Sequence, residues 1–280
     1  MEREKLRILV IGAHPDDPEY YAGGITQLYT QLGHTVQYVT VTNGDAGHFE
    51  LYGEALAERR RAEAAAAGRR LGIEYIVLDN HDGLLLPTLD VRLEIVRILR
   101  QFRPNVVFTH RPWDYHADHR YTSQVVNDAM IPACFGHSVL PDLPMLRPIP
   151  VMMYLFDEFT RPYPFIPDII VGIDDVVRGK VEALHCHTSQ VYDSALQFSD
   201  SPPPDDEAGR IEWLWKDLDA YLRDAADRYR DRLIETYGEE IGSRIQYAEA
   251  FEYCEYGKSA MRLDAEMRDE DKQRTFPFLP

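Results

Sequence analysis

Cysteine is scarce in this sequence: Cys134, Cys186 and Cys254 are widely spaced, odd in number, and form no CxxC pair. That pattern excludes a disulfide framework or a cysteine zinc knuckle, and leaves three small, reduced hydrophobes. Positive charge is also in deficit. Against 47 Asp and Glu stand only 30 Lys and Arg, a formal charge of -17, so the chain would repel a phosphate backbone and nucleic acid is not expected as a partner. No segment approaches the ~20 apolar residues of a membrane span. The start, MEREKLRILV, is charged and lacks a signal-peptide core, so a cytoplasmic protein without a membrane span is expected. Gly23 and Gly24 do not form a dinucleotide fingerprint and no nucleotide-hydrolase phosphate loop is present, which disfavours a nucleotide-binding module.

What the chain does have is an alternation of apolar runs and helical patterns. With 280 residues, 45% of them hydrophobic, it can bury one sizeable core, and a single domain over 1–280 is expected. Strand candidates are RILVIGA (7–13), TVQYVTVT (35–42), YIVLD (75–79), NVVFTH (105–110), PVMMYLF (150–156) and DIIVGI (168–173). Helical patterns lie near 18–32, 54–71, 88–102, 118–130 and 174–187. This order predicts an α/β, Rossmann-like, mostly parallel sheet with helices on both faces. The proline-rich stretch 136–150 reads as an ordered excursion that shapes a pocket rim, and 199–209 as an exposed loop. Beyond it, Ile211, Leu214, Leu218, Tyr221 and Ala225 recur at helical spacing, predicting a C-terminal helical cover around 210–237.

Two polar clusters follow apolar strands. AHPDDPEY (13–20) sets His14, Asp16 and Asp17 after the first strand, and HRPWDYHADHR (110–120) supplies Asp114, His116, Asp118 and His119 after the fourth. Helix capping by Asp17, with Pro18 in the first turn, accounts for one aspartate and no more. In a doubly wound sheet the first and fourth strands are neighbours where strand order reverses, and ligands bind outside their carboxyl ends. His14, Asp17 and His119 then form a two-imidazole, one-carboxylate set suited to catalytic zinc, with iron(II) or another divalent ion also compatible. Asp16 is placed to take a proton from a metal-bound water, His116 to face a substrate carbonyl as a cation, and Asp118 to orient His116 or His119.

Taken together these motifs resemble the PIG-L/LmbE-like deacetylases. AHPDDPE is similar to that family's first signature and HRPWDYHADH to its second, and TNGDAGH (42–48), RRAEAAAAGRRLGI (60–73), HDG (81–83), HTSQ (187–190) and YAEAFEY (247–253) also look familial. The resemblance implies zinc on His14, Asp17 and His119, Asp16 as general base, His116 as oxyanion partner or acid, and Asp118 tuning that histidine. It also implies an N-acetylated amino sugar or glycoconjugate as the small-molecule partner, and it is compatible with a homo-oligomer. Arg60 falls on the apolar stripe of its helix; it either pairs with Glu63 or, as the resemblance suggests, reaches a sugar hydroxyl. Asp82 contacts a sugar hydroxyl or simply turns the chain before Gly83. Asp114 stands where the mycothiol-pathway branch has a tyrosine; it is counted with the substrate contacts, and a mycothiol precursor is not assigned. His187 is read as a structural histidine or one reaching the site, and His110 as support for the ligands. The expected reaction is hydrolysis of an N-acetyl group, the rivals being an amidase for larger acyl groups or thiol conjugates and a non-catalytic sugar-binding module.

Overall fold

The computed structural model describes residues 5–193, 202–258 and 269–280. Within them one sheet of seven strands runs in the order β3-β2-β1-β4-β5-β7-β6. The strands are β1 (Arg7–Gly12), β2 (Thr35–Thr42), β3 (Glu74–Asn80), β4 (Val106–Thr109), β5 (Val151–Leu155), β6 (Ile169–Gly172) and β7 (Ala248–Cys254). Every pair from β3 across to β5 is parallel, and β7 lies antiparallel between β5 and β6. The expected α/β architecture is present, and β1 pairs directly with β4. Strand order reverses between those two strands, which makes their carboxyl ends the natural ligand crevice.

The central strands β1, β4 and β5 are nearly continuous apolar runs because both faces of the sheet are covered there. Alternation divides β1 between two cores: Ile8 and Val10 join the cluster on one face, while Leu9 and Ile11 join the other. Helices α1 (Asp17–Gln31), α2 (Gly53–Leu71) and α5 (Val177–Leu184) pack with one another. On the other face α3 (Leu89–Phe102) packs against α4 (Ala117–Phe135). A short turn, α6 (Thr188–Val191), follows α5.

Three departures from the sequence reading have physical causes. The stretch 136–150 follows the C-terminal end of α4, whose N-terminus lies at the crevice, and 19 residues carry the chain about 28 Å away. Among the described residues lining the crevice none comes from 136–150, so this excursion does not shape its rim. It is ordered by the buried Arg100, whose guanidinium donates to the carbonyls of Pro132, Ala133, Gly136, Leu140 and Leu143. The C-terminal cover is two helices, α7 (Glu207–Arg228) and α8 (Arg230–Tyr237), broken at Tyr229 and followed by the short α9 (Glu239–Gly242). Of the loop expected over 199–209, residues 199–201 lie outside the described ones. Lastly, β7 coincides with the YAEAFEY motif, where no strand was expected.

Strand β7 carries Glu249 into the interior, where its carboxylate accepts the N–H groups of Gly24 and Ile25 on α1, each at 2.8 Å. The Lys180 ammonium of α5 donates to the same carboxylate at 2.7 Å. Both side chains are buried, so this ion pair ties strand to helices at the cost of two desolvated charges. Glu249→Ala is expected to lower unfolding free energy by about 3–5 kcal/mol, and Lys180→Met in the same chain to recover much of that loss. Chemical denaturation of the three proteins checks this; an additive double variant contradicts it.

Candidate active site

The loop after β1 folds back tightly on the strand. A side-chain carbon on Gly12 would lie 2.8 Å from Asp17 Cβ and 2.9 Å from Pro18 Cδ, so glycine permits the approach. Asp17 opens α1, but its carboxylate is not a forward cap: Oδ2 accepts the N–H groups of Ala13 at 2.9 Å and His14 at 2.7 Å. Asp16 has φ 133° and ψ -28°, a conformation that costs a side-chain-bearing residue of order 1–3 kcal/mol. It gives the adjacent carboxylates different surroundings. Asp17 meets the histidines, while Asp16 Oδ1 meets Arg60 Nη2 at 3.3 Å.

His14, Asp17 and His119 converge. His14 Nδ1 lies 3.4 Å from Asp17 Oδ2 and 3.3 Å from His119 Nε2, and His119 Nε2 lies 3.4 Å from Asp17 Oδ1. A tetrahedral centre with metal bonds of ~2.0–2.1 Å has an edge of about 3.4 Å, which each of these separations matches, the two rings meeting different oxygens of Asp17. The far nitrogens support the same assignment. His14 Nε2 faces Asp82 Oδ1 at 3.2 Å and Asp118 Oδ2 at 3.3 Å, and His119 Nδ1 lies 3.1 Å from Asp114 Oδ1. A carboxylate thus faces the outer nitrogen of each ring, with Asp118 hydrogen-bonded to that of His14, and the inward nitrogens are turned to where a metal would displace their protons. The same cluster offers other combinations, namely His14 with His116 and His119, Asp17 with His110 and His119, and His14 with Asp82 and Asp118. None of these uses the inward nitrogens of both carboxylate-backed rings together with Asp17.

Electrostatics follow from this crowding. Burial would raise the Asp17 carboxyl, but His119 and His110 beside it hold it well below the usual range. His110 Nε2 lies 3.2 Å from Asp17 Oδ2, and its ring stacks on His119 at 4.0 Å. Burial opposes charge on His119, yet Asp17 and Asp114 overcome it and hold the imidazole up to about 9. Burial raises Asp16, Arg60 opposes the rise, and Asp17 adds to it, leaving this carboxyl above its ordinary value.

The second loop differs from expectation at three residues. His116 was expected as a cation. Burial and the neighbouring His14 and His119 push its pKa down, and its Nδ1 accepts the Asp118 N–H at 3.2 Å, so the neutral ring with its proton on Nε2 is favoured. The Asp118 carboxylate, expected on His116 or His119, instead accepts the N–H groups of Gly83 at 2.7 Å and Leu85 at 3.3 Å and faces His14. Asp114, expected at the substrate, is buried; Oδ1 accepts the His116 N–H at 3.0 Å, and the residue is not among the described ones that line the cavity.

That cavity has a volume of about 560 Å³. Asp16, Arg60, Asp82 and His116 line it, together with Tyr20, Tyr21, Tyr115, Tyr221 and Gln190, aromatic and amide groups to which sequence reasoning assigns no role in a site. Arg60 is buried but does not pair with Glu63: it donates to the Pro15 carbonyl and meets Asp16. Glu63 is taken by Thr188 Oγ1 at 2.8 Å, Ser189 N–H at 2.8 Å and Arg59 Nε at 3.1 Å. Asp82 lines the cavity beside His14, its loop held by Asp45 Oδ1, which accepts the Asp82 N–H at 2.9 Å. His187 is fully buried and faces Glu19.

Residues 9–130 match the PIG-L family, described as GlcNAc-PI de-N-acetylase. A diacetylchitobiose deacetylase of Thermococcus kodakarensis is 34% identical over 194 residues, covering 66% of this chain and 70% of that protein. The chain belongs to the PIG-L family. A solved N,N'-diacetylchitobiose deacetylase from Pyrococcus horikoshii superposes with a TM-score of 0.70 at 26% identity, over 90% of this chain and 85% of the other. Not every protein similar to this chain is named a deacetylase: a 4-oxalmesaconate hydratase of Pseudomonas putida is 26% identical over 193 residues, covering 66% of this chain and 74% of that protein.

Although burial opposes charge on both rings, neighbouring carboxylates favour a proton on His119 up to about pH 9 and hold His14 well above its ordinary value, so an entering metal must displace protons from both. Apparent zinc affinity is therefore expected to rise by about 10- to 100-fold per pH unit between pH 6.5 and 8.5, measured by competition with a chromophoric chelator. A flat profile contradicts the assignment.

Proposed function

We propose that this chain is a metal-dependent N-deacetylase that releases acetate from an N-acetylated amino sugar or glycoconjugate. The observation that carries the reading is the division of labour between neighbours: His14, Asp17 and His119 face one another with carboxylates behind both rings, while Asp16 stays apart in the cavity against Arg60. A zinc or iron(II) ion held by the three would supply Lewis acidity toward the amide carbonyl and the attacking water.

The chain's own groups do the rest. Asp16, raised above the ordinary carboxyl value by burial, accepts a proton from the attacking water as oxygen bonds to the acetamide carbon. His116 Nε2–H, at the positive end of α4, donates to the developing oxyanion. Asp16 then returns its proton to the departing nitrogen as the C–N bond breaks, giving acetate and a free amine. With His116 neutral, Asp16 is the better placed of the two proton donors. Arg60 and Asp82, on the cavity wall, hold the hydroxyls of the substrate, and Asp118 and Asp114 orient His14 and His119.

Assays on N-acetylglucosamine and N,N'-diacetylchitobiose for acetate and free amine test the reaction. Asp16→Asn should lose ~10²–10⁴-fold in turnover with metal retained, and His119→Ala should lose the metal. Water addition to an unsaturated acid without acetate release would instead place this chain with the hydratase relative; undiminished turnover by Asp16→Asn would remove the assigned base.

A further inference from the structure

Behind Asp16 runs a chain of hydrogen bonds, fully buried at its far end, that the reaction does not itself require. The Asp16 N–H donates to the Tyr75 hydroxyl at 3.2 Å, and that hydroxyl donates to Glu19 Oε2 at 3.3 Å. Glu19 Oε1 in turn meets His187 Nε2 at 3.1 Å. Glu19 and His187 are both 0% exposed, and His187 Nδ1 is buried without a hydrogen-bond partner. Polar groups so placed are unfavourable compared with apolar packing unless they perform a task.

Their end point identifies the task. The chain terminates on the main-chain N–H of the one residue in the catalytic loop whose φ, at 133°, is unfavourable for a side-chain-bearing residue. A tyrosine hydroxyl has a single proton. With that proton committed to Glu19, the oxygen lone pairs are left for Asp16. His187 fixes the far carboxylate oxygen, so the three side chains form a relay of orientation from the end of α5, through α1 and β3, to the loop. None of the three is among the described residues lining the cavity, so they reach the reaction only through Asp16.

We infer that Tyr75, Glu19 and His187 are positioning residues that hold the Asp16 backbone in its left-handed turn, keeping its carboxylate in the cavity and away from the metal set. This inference rests on Asp16 being the general base. Its signature is a loss in kcat with substrate binding and metal content preserved.

Tyr75→Phe removes the acceptor with little change of shape. With N,N'-diacetylchitobiose as substrate, it is expected to lower kcat by about 10- to 100-fold, with KM changed by less than about threefold and metal per chain equal to wild type. Glu19→Ala should show the same loss, and Glu19→Gln, whose amide oxygen still accepts from Tyr75, should restore most of it. Asp16→Asn is assayed alongside. If Asp16→Asn is inactive while Tyr75→Phe keeps wild-type kcat, or loses metal instead, the positioning role is overturned and the base assignment stands. If Asp16→Asn turns over normally, the base assignment fails and the positioning role falls with it.

Discussion

The site depends on how two imidazoles are oriented by the carboxylates behind them. Asp118 and Asp82 stand behind His14, and Asp114 behind His119; each carboxylate faces its ring's outer nitrogen while the inner one faces Asp17. That arrangement needs the carboxyl ends of β1 and β4 side by side. It also needs the loop after β3, because Asp118 is itself held by the Gly83 and Leu85 N–H groups. Three strand ends are thus coupled through one carboxylate. Misplacing any of them would free a ring to rotate.

Much of this was legible in the amino-acid order. Buried strands appear as apolar runs, so β1 through β6 stand out although β6 pairs only antiparallel, and the topological rule for doubly wound sheets brings His14, Asp17 and His119 together from strand order alone. Arg60 was legible as buried from its place on the apolar stripe of α2. Its partner was not, because Thr188 and Ser189, which take Glu63, lie more than a hundred residues away. For the same reason Asp118 and Asp114 could be recognised as belonging to the site while the rings they serve could not. Strand β7 was hidden by its glutamates: Glu249 reads as exposed until Lys180 and two helix N–H groups are seen around it.

The aromatic wall of the cavity comes from different elements than most of its polar cluster. The polar donors come from strand ends, whereas the cavity wall is completed by Tyr20 and Tyr21 on α1, Tyr115 on the second loop and Tyr221 on α7. Tyr221 is braced there, its hydroxyl donating to the Tyr20 carbonyl at 3.1 Å and its ring standing edge-on to Tyr20 at 5.6 Å. Helix α7, far along the chain from both polar motifs, therefore reaches the cavity they form. Such a division lets a scaffold keep one water-activating centre while its walls change.

The most direct test of this account is anomalous scattering at the zinc edge from crystals of the protein grown with zinc. The account predicts a single strong peak within bonding distance of His14 Nδ1, the Asp17 carboxylate and His119 Nε2, with Asp16 unligated. A peak held by His116, or by Asp82 and Asp118, would contradict it.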